Sequence, residues 1–124
     1  MSHNILVIED SKHIIMLLQR FLKILPAKHN WYFGESIADL KQQLRERNFD
    51  LILCDINLPD GDSSELVPGL KADTPHTHYL AYTSHEANDI ENSDGFDGFI
   101  AKSTDPLNVL EHCEKLVTEK ANHV

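Results

Sequence analysis

Cysteine is scarce in this chain: Cys54 and Cys113 are the only two, and they stand far apart. Neither belongs to a Cys-x-x-Cys pair or a metal-ligand cluster, so a reducing compartment fits best. Cys54 falls inside an apolar run and reads as a buried free thiol. The longest apolar run is much too short to span a bilayer. The start, Met-Ser-His-Asn, lacks a basic stretch followed by an apolar segment. No secretory signal is read there, and the cytoplasm is the expected compartment. Basic residues are also few, 11 against 20 acidic, for a formal charge of -9. That balance argues against nucleic acid or an anionic membrane as partner. It leaves room for an anionic ligand, because a metal ion reverses the local field. With no linker, repeat or low-complexity segment, the 124 residues read as one domain, 1–124.

What is present is organised around Asp50-Leu-Ile-Leu-Cys-Asp55-Ile-Asn-Leu-Pro-Asp-Gly-Asp62. The apolar run is too short for a core helix and is bounded by turn formers, so it reads as a buried strand ending at Asp55. Ile5-Leu-Val-Ile8 is a second such run, rich in β-branched residues, and it too ends in acid, Glu9-Asp10. Ser11 or Asp10 can cap the helix that follows, whose apolar positions recur from Ile14 to Leu25 until Pro26 closes it. Trp31–Phe33 gives a further strand, and Ser36 with Asp39 opens a helix that runs to about Arg47.

After the Pro59-Asp-Gly61 turn, Asp62-Ser-Ser-Glu65 has the form of a capping box, but Pro68-Gly69 falls inside the helix it should start. That helix is expected to be short, bent or late in starting. His78–Tyr82 forms the fourth strand and delivers Thr83 and Ser84 to its end. Residues 85–95 are polar, with only Ala87 and Ile90 apolar, which predicts a short, weakly anchored fourth helix. Phe96–Ala101 is the fifth strand, followed by Lys102. Asp105-Pro106 then starts a last helix with Leu107, Val109, Leu110, Cys113, Leu116 and Val117 inside. Strands alternating with helices imply an α/β fold with a mostly parallel sheet covered on both faces.

Parallel strands place their carboxyl ends on one edge, where open α/β sheets bind ligands. If the first, third, fourth and fifth strands are neighbours, Glu9, Asp10, Asp55, Thr83 and Lys102 converge there. Three carboxylates repel unless a cation joins them, and hard oxygen ligands suit Mg²⁺. A metal and a lysine together fit phosphoryl transfer, with Asp55 as nucleophile and Thr83 donating a hydroxyl hydrogen bond. His76 and His78 lack a third ligand nearby in sequence and read as a surface turn rather than a metal site. His85 can contact water near the site, and the small Ser84 leaves room for attacking water or a donor imidazole.

These residues resemble the receiver domain of two-component response regulators, over a core of about residues 3–120. The resemblance implies a doubly wound (βα)5, flavodoxin-like three-layer sandwich with strand order 2-1-3-4-5. It implies Asp55 as phosphoacceptor, Asp10 as direct ligand of Mg²⁺ (or Mn²⁺), and Glu9 as a ligand acting through water. Asn57 would lend its backbone carbonyl to the metal and, with His85, modulate dephosphorylation. Thr83 corresponds to the switch hydroxyl, Phe99 to the rotating aromatic, and Lys102 to the phosphate-binding lysine.

The expected function is that of a stand-alone signalling switch. A histidine kinase or histidine phosphotransfer protein would supply the phosphoryl group, and slow self-dephosphorylation would remove it. A downstream protein would read the face made by helix 4, strand 5 and helix 5. A phosphorylation-independent interaction module is the rival reading. Three departures bear on the output: Ser63 stands where the family commonly has glycine, Ser103 where it nearly always has proline, and the interval from Thr83 to Lys102 is about one helical turn short. Without that proline, no cis bond is expected after Lys102.

Overall fold

The computed structural model describes residues 3–84 and 95–122. In chain order the elements are β1 (Asn4–Ile8), α1 (Lys12–Leu22), β2 (Asn30–Gly34), α2 (Ile37–Glu46) and β3 (Leu51–Asp55). They continue with β4 (Asn57–Leu58), β5 (Gly61–Asp62), α3 (Ser63–Asp73), β6 (His78–Thr83), β7 (Gly98–Ala101) and α4 (Pro106–Asn122). The main sheet has the order β2-β1-β3-β6-β7, and every pairing in it is parallel. Because β4 and β5 form a separate antiparallel pair, β6 and β7 are the fourth and fifth strands read from the sequence, and the order is the expected 2-1-3-4-5.

Side chains alternate across a strand, so each buried strand feeds two cores. Ile5 and Val7 of β1, Leu51 and Leu53 of β3, Leu80 and Tyr82 of β6 and Ile100 of β7 pack with Leu18 of α1 and Val109, Leu110 and Val117 of α4. Their neighbours Leu6, Ile8, Ile52, Cys54 and Tyr79 pack on the other face with Ile37 and Leu40 of α2 and Val67 of α3. Continuous apolar runs such as Ile5–Ile8 are what a sheet covered on both sides requires. Cys54 and Cys113 lie in opposite cores as buried free thiols, each pushed up to about 12 by burial.

Three expectations are corrected. First, α1 ends at Leu22; one further turn, with Leu25 N–H donating to Phe21, carries the chain to Pro26. Second, α3 is neither short nor late: it starts at Ser63 with Asp62 as its cap and runs 11 residues through Pro68. Proline removes one main-chain donor there. The contact that covers this stretch comes from far along the chain. Gly95, at φ +93°, lies against the Pro68 backbone, where a Cβ would come within 2.9 Å of Pro68 Cα and N. Third, the fifth strand starts at Gly98 rather than Phe96, because the Asp97 carboxylate turns back to accept from Tyr79 N–H. There is no cis peptide bond among the described residues, as expected with Ser103 after Lys102. The fourth helix of the sequence reading lies outside the described residues.

Candidate functional site

The carboxyl ends of four strands meet at one edge of the sheet. Glu9 and Asp10 directly follow β1, Asp55 closes β3, Thr83 closes β6, and Lys102 directly follows β7. The Glu9 N–H continues the ladder by donating to Gly34 O at 3.0 Å, so its side chain is set by the sheet itself. The Lys102 N–H donates to Thr83 O at 2.7 Å, which fixes the β7 end against the β6 end. Glu9, Asp55 and Thr83 are buried, and Asp10 is exposed.

Lys102 Nζ sits 2.8 Å from Glu9 Oε2 and 2.8 Å from Asp55 Oδ2, bridging the two buried carboxylates. The remaining oxygens are held by main chain: Ser11 N–H donates to Glu9 Oε1 at 3.0 Å, and Asn57 N–H to Asp55 Oδ1 at 3.3 Å. Glu9 Oε2 has no partner besides the ion pair with Lys102. Burial holds the Glu9 carboxyl above its ordinary value despite the nearby ammonium. For Lys102 burial acts downward, but its hydrogen bonds to Asp55 and Glu9 outweigh it and the ammonium is held above its usual range. Tyr82, beneath Lys102 Nζ at 5.7 Å, is pushed up to about 12, first by burial and then by the Glu9 charge.

Glu9, Asp10 and Asp55 each bring one carboxylate oxygen within 4.8 Å of the others. One ammonium among three carboxylates leaves the edge short of positive charge. The donor set is all hard oxygen, and the buried Glu9 Oε2 is held by nothing but the Lys102 ammonium. Both features fit a divalent metal such as Mg²⁺.

The remaining predicted residues are distributed as follows. Asn57 is exposed in β4, next to the acidic cluster through its hydrogen bond to Asp55. Ser84 is exposed just beyond Thr83. Phe99 is 43% exposed, so it is not a core aromatic in this conformation; it lines a shallow groove with Thr104, Asn108 and His112. His76 lies in an exposed turn, while His78 begins β6 half-buried, with its ring held below its ordinary pKa chiefly by burial. His85 lies outside the described residues.

Sequence reasoning missed the contacts of two residues that follow Asp55, Ser63 at the start of α3 and Asp60 in the turn before it. Ser63 Oγ donates to the Asp55 carbonyl at 2.7 Å. Asp60 reaches from the β4–β5 turn to accept from Ile37 N–H at 2.8 Å and Ala38 N–H at 3.0 Å, capping α2. Those helix N–H groups hold the Asp60 carboxyl below its ordinary value. The signal for Asp60 was only a polar residue in a turn, and for Ser63 only its place in a capping-box pattern and where the family commonly has glycine.

Residues 5–114 match the response regulator receiver domain family. The chain belongs to that family. Receiver domains also supply the similar solved structures. A CheY-like receiver domain protein from Methanospirillum hungatei is 22% identical over the whole of both chains, with a TM-score of 0.83. The signal receiver domain of an HD domain-containing protein from Pseudomonas fluorescens is 20% identical, over 98% of this chain and 90% of that one, with a TM-score of 0.82. At such identities these two show the shared fold. The swarming motility regulation protein RssB of Serratia marcescens is 41% identical over 59 residues, which are 48% of this chain and 26% of that protein. The receiver chain thus spans about a quarter of that curated relative's length.

Receiver identity and the acidic triad together make this a phosphoacceptor signalling domain of two-component systems, with a site suited to Mg²⁺. Its family partners are histidine kinases and phosphotransfer proteins. Among the described residues, no helix of this receiver is long and apolar enough to cross a membrane.

Proposed function

We propose that Asp55 is the phosphoacceptor and that residues 1–124 act as one cytoplasmic receiver unit. The observation that carries this reading is the position of the Asp55 carboxylate, held between Lys102 and the Glu9–Asp10 pair at the end of a central strand. Asp55 Oδ attacks the phosphorus of a phosphohistidine. The P–N bond breaks as the P–O bond forms, and the imidazole, already protonated on its other ring nitrogen, leaves as the neutral ring. Lys102 stays against the transferred group and offsets its charge. Thr83 donates its hydroxyl to a phosphoryl oxygen, and Phe99 leaves its exposed position as the switch turns. Asp10 and Asp55, with the Asn57 carbonyl and Glu9 through water, are the residues that would hold Mg²⁺. When bound, the metal neutralises phosphoryl oxygens as charge builds on them. Asn57 and His85 tune the return hydrolysis. The output partner is a protein that reads β7, α4 and the intervening segment before β7, without nucleic acid or membrane.

The test is incubation with Mg²⁺ and acetyl phosphate, followed by intact mass, beside Asp55→Asn. A labile gain of one phosphoryl group in the wild type, absent from the variant and absent with chelator, is the expected result. If the wild type gains nothing from acetyl phosphate or from a cognate kinase, the proposal fails.

A further inference from the structure

Resting on the assignment of Asp55, we infer that Ser63 is a positioning residue for phosphoryl transfer: its two donors clamp the peptide units on either side of Ile56 and so fix where the Asp55 carboxylate stands. Ser63 is fully buried at the first position of α3. Its hydroxyl donates to Asp55 O at 2.7 Å, and its N–H donates to Ile56 O at 2.9 Å. A second, weaker donor, Cys54 Sγ, reaches the same Asp55 carbonyl at 3.4 Å.

The N–H at a helix start has no partner within its own helix, and a buried hydroxyl must find an acceptor. Ser63 directs both to consecutive carbonyls of the loop that follows β3. The residues between are closed off by the β4–β5 pair, and Asp60 at their turn is anchored on the start of α2. The Asp55 main chain is therefore gripped from one side by Ser63. Its carboxylate is gripped from the other by Asn57 N–H and Lys102. Releasing the main-chain grip lets the peptide plane tilt and carries the nucleophilic oxygen away from its line of attack. A misplacement on the order of 1 Å can cost up to about a hundredfold in rate.

Thr77 supplies a matched control within the same molecule. It is also buried, and its hydroxyl donates to a main-chain carbonyl, Phe49 O, at the same 2.7 Å, but at the opposite edge of the sheet. The experiment compares wild type, Ser63→Ala, Ser63→Gly and Thr77→Val. Phosphorylation by acetyl phosphate is followed by intact mass over a range of donor concentrations with saturating Mg²⁺, beside thermal melts and the ¹³C shift of the Asp55 carbonyl.

Both Ser63 variants are expected to lose about tenfold in maximal rate with the half-saturating donor concentration unchanged, and to shift the Asp55 carbonyl resonance. Thr77→Val is expected to melt lower while keeping its rate within about twofold of wild type. Ser63 variants that phosphorylate at the wild-type rate would overturn the inference. So would a Thr77→Val variant slowed as much as they are. Failure of both Ser63 variants to fold beside a folded Thr77→Val would also overturn it, leaving Ser63 a purely structural role. A wild type that takes up no phosphoryl group would instead bring down the assignment of Asp55, and this inference with it.

Discussion

The two ends of the sheet both carry charged side chains, yet they dispose of them in opposite ways. At the amino end, Lys71 Nζ donates to Thr77 O at 2.7 Å and Asp97 Oδ2 at 2.8 Å, and the same Asp97 oxygen accepts from Tyr79 N–H. Lys120 Nζ reaches Asp50 O at 3.3 Å, and the Asp50 carboxylate accepts from Asn4 N–H. Those charges tie strand starts to helices or to a neighbouring strand. At the carboxyl end, one ammonium stands among three carboxylates and pairs with two of them, and a fully buried oxygen of Glu9 has no partner besides that ammonium. The first arrangement stabilises the fold by itself. The second is completed by what it binds, which is how a signalling site differs from a structural one made of the same residue types.

The largest way to break this contrast is Lys102→Met. It strands the buried Glu9 and Asp55 charges, so a loss of about 3 kcal/mol in urea unfolding without metal is expected. Phosphorylation should slow at least about a hundredfold by intact mass. Mg²⁺ should recover part of the stability and little of the rate. The matching change at the other end, Lys71→Met, should cost about 1 kcal/mol, discounted because both partners are over a quarter exposed, and leave phosphorylation unchanged.

The acid limb of stability sharpens the comparison further. Burial alone raises the Asp97 carboxyl, but Lys71 and the Tyr79 N–H overcome it and hold it below the ordinary 3.8. A depressed carboxylate contributes stability that is complete above its unfolded value and is lost as pH falls through its folded one. Stability should therefore fall below about pH 4, and Lys71→Met should flatten that slope in urea titrations at stepped pH. The smallest effect is expected for Asp10→Asn. Removing one of three repelling carboxylates should raise metal-free stability by less than about 1 kcal/mol.

The contrast between the two ends also explains what the sequence could disclose. Apolar runs ended by Glu9-Asp10, Asp55 and Lys102 are local patterns, and parallel pairing brings such ends together, so the site edge was legible before any coordinates. The uninterrupted course of α3 through Pro68 was not, because the chain that covers it arrives from Gly95. The Ser63 and Asp60 contacts escaped for a similar reason. A hydroxyl or carboxylate in a turn carries no periodicity, and its partner is chosen by how the β4–β5 loop folds back. Trp31 was read only as part of a strand. Its Nε1 in fact donates to Glu114 Oε2 at 2.8 Å, tying β2 to α4.

The most direct test of a site completed by its ligand is thermal melting of the wild type and Asp10→Asn in chelator and across a Mg²⁺ titration. Selective binding to the folded state should raise the wild-type melting temperature progressively, by about 2.7 kcal/mol of stability at a hundred times the dissociation constant. Asp10→Asn should start slightly higher and respond little. Wild-type melts that superimpose with and without Mg²⁺ would contradict the account.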